Sequence, residues 1–528
     1  MALPDLYNIA LDCIDKNAQS LLNKHKTALL CAESTGDQTF ERKRLTFSNL
    51  EGLTNRIANA LKNLSLPKGA RIILRLPNCP EFPVTFLGAV KAGLIPIPTS
   101  PLLTWSELRF MMEDSEAAVL VTTTGLLPEF PDSERPSSLK EILLVSPLGQ
   151  TPPPGSRRWE DLLKSSEPVF QTEPTQASDP AFWLYTSGTE GRPKAVIHAH
   201  RSIPAHDSRM RLWQDAKSGN VIFNTSALNW SYALTAGLLD VWRHGLTAVV
   251  YEGPSSPEAL GPVIRDLSVT TFMSVPGIYR RLAEHPEAKN FFSKVRVCLS
   301  AGEKLSEEVH GHFLQNTGLE IREGLGMTEH SVYLIQGVGS PLVPGSCGKG
   351  LPEEKTAILR PDLSVASPGE IGILASRRDS PGVMLGYHRR PDEEAKAFQG
   401  EWFLSGDLAS QDAEGNFFFV GRSDDVITAG GYRISPMEVE AALNQHPLVL
   451  ESAAVGWDKE PGKTLIAAFV VLKNKSEDLD AARAGLLSFA AGRLARYKAP
   501  REIFFVETLP KTRNGKIQRA EVKNYLPK

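Results

Sequence analysis

Between residues 50 and 98 the sequence switches repeatedly between two hydrophobic periods. Leu53, Ile57, Ala60 and Leu61 recur at helical spacing within residues 50–63, and residues 71–76 follow as a short extended run. Residues 83–93 return to the helical spacing and residues 94–98 to the extended one. Strands that alternate with helices are met by parallel strands joined through crossover helices, so the expected fold class is α/β. A chain of 528 residues also exceeds what one core serves, and roughly three or four units are expected.

Two boundaries are visible. Across residues 146–180 the composition shifts to Pro, Ser, Gln and Glu, including Pro152-Pro153-Pro154-Gly155, which reads as a surface connection around a short helix at 159–164. A strand at 416–420 then leads to a second boundary near Gly421. Beyond it lies a compact pattern: Ser435 to cap a helix, Pro436 at its first position and Glu438 to complete a capping box. Strands at 452–455 and 465–472, a helix at 479–497 and a strand at 502–506 follow. The architecture expected is a large N-terminal body of layered sheets and helices, residues 1–423, and a small α+β domain, residues 424–528.

Composition excludes several classes. The 58 basic and 61 acidic residues leave a formal charge of -3, which excludes a bulk electrostatic affinity for nucleic acid or acidic membranes. The five cysteines (Cys13, Cys31, Cys79, Cys298, Cys347) form no CxxC pair, as suits a reducing compartment, and the cytoplasm is the expected location. Residues 1–20 lack the basic start and apolar run of a secretory signal. The apolar stretch 82–103 is broken by Lys91 and several prolines, so no stable membrane insertion is expected.

The segment richest in chemistry is Trp183-Leu-Tyr-Thr-Ser-Gly-Thr-Glu-Gly-Arg-Pro-Lys194. Phosphates require backbone N–H groups at close range, hydroxyl donors and a mobile cation. Thr186, Ser187, Gly188, Thr189, Gly191 and Lys194 supply all three. It is not a Walker A loop, because its glycines are too close and Pro193 precedes the lysine. Composition alone leaves open a solvated Ser/Thr/Gly turn after a strand.

Residues 185–194 closely resemble the signature loop of the adenylate-forming superfamily, which holds acyl- and aryl-CoA synthetases, the adenylation domains of peptide synthetases and beetle luciferases. Two departures stand out: Glu190 where that family often has Thr, and Ala195 where it often has Gly. The resemblance implies that Thr186, Ser187, Gly188, Thr189 and Lys194 bind ATP phosphate. Further segments resemble the family in its own order. Gly324-Leu-Gly-Met-Thr-Glu329 is similar to its second nucleotide motif. By that resemblance Glu329 would ligate Mg2+ and Thr328 contact the α-phosphate, with Gly324, Leu325 and Gly326 against adenine. Leu325 would pack where an aromatic ring usually stacks. Magnesium's preference for one or two carboxylates plus phosphate oxygens suits Glu329. Ser300-Ala-Gly-Glu303 resembles the wall between nucleotide and acid, which implies Gly302 and Glu303 on the nucleotide side and Ser300 and Ala301 in the acyl pocket.

Ser405-Gly-Asp407 is similar to the element whose aspartate holds the ribose hydroxyls, and one carboxylate can accept from both. Gly421-Arg-Ser-Asp-Asp-Val-Ile-Thr-Ala-Gly-Gly-Tyr-Arg433 resembles the inter-domain segment. It implies nucleotide contact for Arg422, a hinge at Asp424, a pantetheine tunnel at Gly431 and a phosphate contact for Arg433 in one conformation. Leu509-Pro-Lys-Thr-Arg-Asn-Gly-Lys516 resembles the segment whose lysine reaches the reacting phosphate, where an ammonium stabilises developing charge. The activity implied joins a carboxylic acid to AMP from ATP with Mg2+ and passes the acyl group to coenzyme A. The overall pattern is closest to benzoate-like and medium-chain acyl-CoA ligases. Loading of a carrier-protein thiol and a lapsed nucleotide-binding regulator remain as alternatives.

Three signals compete with this reading. His198 and His200 would share a strand face as a metal pair does, but no third ligand is near and a structural role is expected. Gly345-Ser-Cys-Gly348 reads as a turn rather than a nucleophile, since no activating base is evident. Asn229-Trp230-Ser-Tyr232 is readable both as an aromatic gate on the acyl pocket and as core.

Overall fold

The structure, a computed structural model, describes all residues except 1–3, 37–38, 128–133, 147–150, 188–192, 424, 426, 430–431, 461–462, 475–477, 497, 512–516 and 528, with the backbone alone described at 187, 428, 432, 433, 460 and 463. The chain divides into two compact units, Met1–Thr356 with Ser376–Phe403, and Ala357–Ala375 with Leu404–Lys528.

In the first unit the expected α/β alternation is present. Strand Arg71–Arg75 pairs in parallel with Ile95–Pro98 (Arg71↔Ile95 to Leu74↔Pro98), and helix Glu81–Lys91 makes the crossover. Val119–Thr123, Glu141–Val145 and Arg157–Arg158 extend this five-stranded sheet, all in parallel. Ile95–Pro98 tolerates Pro96 and Pro98 because it lies at the sheet edge. Helix Phe47–Lys62 starts from a capping box between Thr46 and Asn49 and buries Leu50, Ile57, Ala58 and Leu61. It approaches helix Glu81–Lys91 closely at Gly88, where a Cβ would lie 2.5 Å from Ile57 Cγ2. Helix Trp159–Ser165 is anchored by Trp159, whose indole N–H donates to Thr85 Oγ1 at 2.8 Å.

A nine-stranded sheet forms the other layer of this unit. Its six central strands run in parallel in the order Ile321–Met327, Val297–Ala301, Thr271–Ser274, Val221–Asn224, Thr247–Glu252 and Thr27–Gly36. Antiparallel strands flank them: Ser331–Ile335 and Lys349–Gly350 on one side, Thr39–Thr46 on the other. The edge strand carries exposed Glu41, Arg42, Lys43 and Arg44, charges that oppose edge-to-edge pairing. A third, antiparallel sheet orders Gly386–Tyr387, Pro193–Ala199 and Pro180–Ser187.

In the second unit Phe417–Arg422 pairs antiparallel with Trp402–Gln411. The α+β tail has a sheet ordered Val449–Glu460, Lys463–Leu472, Glu502–Phe505, against which helices Pro436–Asn444 and Leu479–Ala491 pack Val439, Leu443, Leu486 and Ala490. Two local expectations are corrected. Pro436 does open its helix, but Ser435 does not cap it: its hydroxyl donates to the Val420 carbonyl, and Glu438 pairs with Lys498 at 2.6 Å. The helix expected at 479–497 ends at Ala491, where Gly492 follows and favours termination. No helix of the described residues is long and apolar enough to cross a membrane.

One buried charge ties the first unit together. Lys91 is fully buried; its ammonium bonds Asp15 and, at 2.6 Å, Asn55 Oδ1. Burial holds the lysine below its ordinary pKa and the aspartate above its own, which marks how much hydration both have lost. Asp15→Ala strands the ammonium in the core and is expected to cost about 3–5 kcal/mol, read as a lower thermal midpoint of the first unit. An unchanged midpoint would refute the anchoring role.

Candidate active site

Two paired strands flank the sequence-identified loop. Strands Pro180–Ser187 and Pro193–Ala199 pair with Thr186 opposite Lys194 and Ser187 opposite Pro193. Directly opposed residues project from the same face, so the threonine and the lysine share one side. Tyr387 joins that face, because it lies opposite Val196, two residues beyond Lys194. Gly188 and Thr189, with Glu190, lie outside the described residues, and of Ser187 only the backbone is described.

Tyr387 links the loop to the second motif. The Lys194 ammonium stands 4.0 Å from the Tyr387 ring centroid and 2.7 Å from Glu393 Oε2. The Tyr387 hydroxyl donates to Glu329 Oε1 at 2.8 Å. Glu329 is only 7% exposed, and its carbonyl accepts from Met384 N–H at 3.0 Å. An ammonium and a carboxylate are thereby held by one tyrosine, the first against its ring and the second at its hydroxyl. Glu329, an oxygen donor beside that cation-lined face, fits a magnesium ion shared with nucleotide phosphates.

The second motif's shape depends on a glycine. Strand Ile321–Met327 turns back into Ser331–Ile335, and the register shifts between Leu325 and Gly326. A Cβ on Gly326 would lie 2.2 Å from the Ser331 carbonyl oxygen, so only glycine permits this return. Gly324, Leu325 and half-buried Thr328 belong to the same hairpin. Behind it lies a wholly buried cluster of His206, His330 and Glu354. The His330 Nε2 donates to Glu354 Oε2 at 2.7 Å, while Glu354 Oε1 accepts from Gly382 N–H at 3.0 Å. Glu354 thus fastens the residue after Glu329 to the segment that leads to Tyr387.

The residues expected to wall the acyl and adenine sites lie at the carboxyl ends of strands in the large sheet. Strand Val297–Ala301 pairs Ala301 with Gly324 and Ser300 with both Glu323 and Ser274. These are the carboxyl ends of parallel strands, where open α/β sheets offer their binding crevice. Ser300 is fully buried and its hydroxyl has no hydrogen-bond partner among the described residues; Ala301 is buried, whereas Gly302 and Glu303 are exposed. Tyr232 belongs to the core, its hydroxyl donating to the Leu299 carbonyl at 3.3 Å, and Trp230 is half-buried.

The second unit pairs Asp407 with Arg422. Arg422 lies opposite Asp407 and donates to Asp407 Oδ1 at 3.1 Å and to the Ser405 carbonyl at 3.0 Å. Thr428 lies opposite Arg433 in a short hairpin described at the backbone. Asp424, Gly431 and Lys516 lie outside the described residues. Lys511 bridges Ile517, and Arg519 bonds Asp425 at 3.0 Å and Glu440 at 2.7 Å.

His198 and His200 do not form a metal pair. The strand ends at Ala199, so His200 enters a tight turn, where its Nδ1 accepts from Ile9 N–H at 3.2 Å. His198 stacks on Phe182 with centroids 4.7 Å apart. Burial depresses both imidazoles to about 4, so both are neutral core groups. Tyr387, Glu393 and Glu354 have no signal in the sequence reading: each acquires its role only through tertiary contact.

With this geometry in place, comparison with known proteins is decisive. A family described as AMP-binding enzyme matches residues 18–388, and its C-terminal domain matches residues 438–516. The chain is 33% identical over 528 residues to the benzoate–CoA ligase of Thauera aromatica, covering 99% of this chain and 97% of that one. It is also 33% identical over 502 residues to the uncharacterised acyl–CoA ligase YtcI of Bacillus subtilis (strain 168), covering 94% and 93%. The crystal structure of the anthranilate CoA ligase AuaEII in complex with anthranoyl-AMP superposes with a TM-score of 0.87 at 28% identity, covering 99% of this chain and 98% of that one. The chain belongs to the AMP-binding, adenylate-forming enzyme family and is an enzyme of its AMP-forming acyl-CoA ligase class.

Glu323, just before Gly324, gives this site a pH signature. Burial raises its carboxyl from 4.5 to about 7, against the Leu305 N–H that its Oε1 accepts at 2.8 Å. A carboxyl whose folded pKa lies above its unfolded value favours folding while protonated, and that contribution is lost as pH climbs through the interval. Glu323→Gln keeps an acceptor and removes the titration. Its thermal midpoint is expected to fall less than the wild type's between about pH 4.5 and pH 7. Parallel curves for the two proteins would show that Glu323 titrates normally.

Proposed function

We propose that this enzyme activates a carboxylic acid with ATP, forming an acyl-AMP and pyrophosphate, and then transfers the acyl group to coenzyme A with release of AMP. The observation that carries the proposal is the Lys194–Tyr387–Glu329 cluster at the mouth of the large sheet's carboxyl edge. Lys194 and Thr186, with Ser187, Gly188 and Thr189, bind the phosphates of ATP. Thr328 meets the α-phosphate, and Gly302, Glu303, Gly324, Leu325 and Gly326 enclose adenine. Asp407 accepts from the ribose hydroxyls and Arg422 contacts the nucleotide. Glu329 holds Mg2+, which when bound supplies charge neutralisation for the triphosphate.

The acid's carboxylate attacks the α-phosphate and the bond to pyrophosphate breaks. Lys516 neutralises charge developing on the transferring group and bridging oxygen. The body, residues 1–423, and the tail, 424–528, then turn about Asp424, which withdraws Lys516 and opens the thiol channel at Gly431, with Arg433 taking a phosphate contact. The CoA thiolate attacks the mixed anhydride, forming the thioester as AMP leaves. The acid is aromatic and benzoate-like or of medium chain length, lodged against Ser300, Ala301 and Trp230. The benzoate and anthranilate activity of the named relatives supports the aromatic class. Five free cysteines suit a cytoplasmic enzyme.

The test has two parts. In a pyrophosphate-release assay across a panel of acids, aryl and medium-chain acids are expected to turn over with CoA in preference to acetate and to a holo-carrier protein; no turnover on any acid would sink the activity. Lys516→Ala is expected to abolish acyl-AMP formation, yet to leave thioester formation from supplied acyl-AMP. Equal loss of both steps in a folded variant would show that the lysine does not divide the labour this way.

A further inference from the structure

The cation that the phosphate loop offers to a nucleotide is already engaged by the protein. Lys194 Nζ lies 2.7 Å from Glu393 Oε2, and the two side chains are only 14% and 20% exposed. Solvent therefore screens this pair less than one standing free on the surface. The lysine's other neighbour is the Tyr387 ring, a weak electrostatic partner that needs no displacement.

Glu393 reaches Lys194 from the short helix Pro391–Ala397, and the next residue does something different. Glu394 Oε2 accepts from the Tyr387 N–H at 3.3 Å and so fixes the strand that bears the tyrosine. Of two consecutive carboxylates, one supports the backbone and the other faces the loop cation. Among the described residues, the ion pair that Glu393 makes is with Lys194.

We propose that Glu393 is an internal competitor for phosphate, occupying Lys194 until the nucleotide displaces it and so setting the enzyme's affinity for ATP. This rests on the assignment of Lys194 to the phosphates of ATP. The triphosphate carries several negative charges where the carboxylate carries one, so the exchange runs toward the nucleotide. Its yield is discounted by the pair that must be broken and by the carboxylate then left beside the phosphates. Glu393 lowers affinity without touching the reacting atoms, so its effect falls on KM for ATP rather than on kcat.

The experiment uses the full-length enzyme, with ATP binding measured by calorimetry in the presence of magnesium and the acid-dependent pyrophosphate exchange measured in parallel. Glu393→Gln is expected to bind ATP about three- to tenfold more tightly, with KM for ATP falling in step and kcat moving less than about twofold. Adenosine, which carries no phosphate, is expected to bind wild type and variant alike. Glu393→Ala, measured beside it, keeps the test open should the glutamine variant fold poorly, as judged by thermal midpoint. In a Lys194→Met background the gain from Glu393→Gln is expected to shrink. Unchanged or weaker ATP binding by both Glu393 variants, or an equal gain with Lys194 removed, overturns the competitor. If instead Lys194→Met alone leaves ATP binding intact, the fault lies with the assignment of the loop lysine.

Discussion

The site is organised around a carboxylate that has been taken out of water. Glu329 is 7% exposed, and the hydrogen bond it receives from the Tyr387 hydroxyl at 2.8 Å is what makes that burial tolerable. A tyrosine donor compensates a carboxylate without neutralising it, so the charge stays available to a cation. Its position is then fixed from three directions: Met384 N–H on its own carbonyl, His330 held by Glu354, and Glu354 in turn held by Gly382 N–H. Two segments that converge on Glu329 are both fastened to Glu354. A group supported this way does not need to reorganise when charge arrives, which is the condition for electrostatic stabilisation.

The same economy governs the other charges assigned to nucleotide. Lys194 pairs with Glu393, and Arg422 pairs with Asp407. Each side chain is held in place by an opposite charge that must yield some of its interaction when a ligand arrives. The two pairs differ in consequence. Asp407 and Arg422 are both assigned to the nucleotide, so loosening their mutual contact frees two useful groups. Glu393 has no such assignment, so its release from Lys194 is a cost without a matching contact. On the assignments proposed above, pre-pairing would organise the groups meant for ribose and weaken the lysine's hold on phosphate.

How much of this was legible in the sequence depended on the range of the forces involved. The strands at 71–76 and 94–98 and the helix between them appear within about two residues, because periodicity and a covered parallel sheet act locally. The return at Gly326 was not legible: its motif was identified by resemblance, and the contact that requires glycine there is with the Ser331 carbonyl. Ser435 misled because its capping pattern is local, whereas the partner that took its hydroxyl, Val420, comes from a different strand. For His198 and His200 the expected structural role holds, but the shared strand face does not, because a single residue of strand length leaves His200 outside the strand. Tyr387, Glu393 and Glu354 were invisible, since nothing in Gly386-Tyr387-His388 or Pro391-Asp392-Glu393 marks a residue that meets a loop nearly two hundred positions earlier in the chain.

The tail adds a mechanical condition to the electrostatic ones. Arg519 binds both Asp425 and Glu440, so the residue beside the proposed hinge, the first helix of the tail and the chain just after Lys516 are one ion-paired assembly. Arg519 is largely buried, its guanidinium held above its ordinary pKa by those two carboxylates, and breaking the assembly would strand a charge. A turn about Asp424 would therefore carry the 517–519 anchor with Asp425 as a stiff body rather than let it drift on a flexible end. Stiffness is what the proposed chemistry demands: a lysine that must meet a phosphate in one half-reaction and be absent in the next gains nothing from a tether that samples both. With the bend at Asp424 as proposed, the pairing of Arg519 with Asp425 and Glu440 would tie the chain after Lys516 to the residue beside the bend.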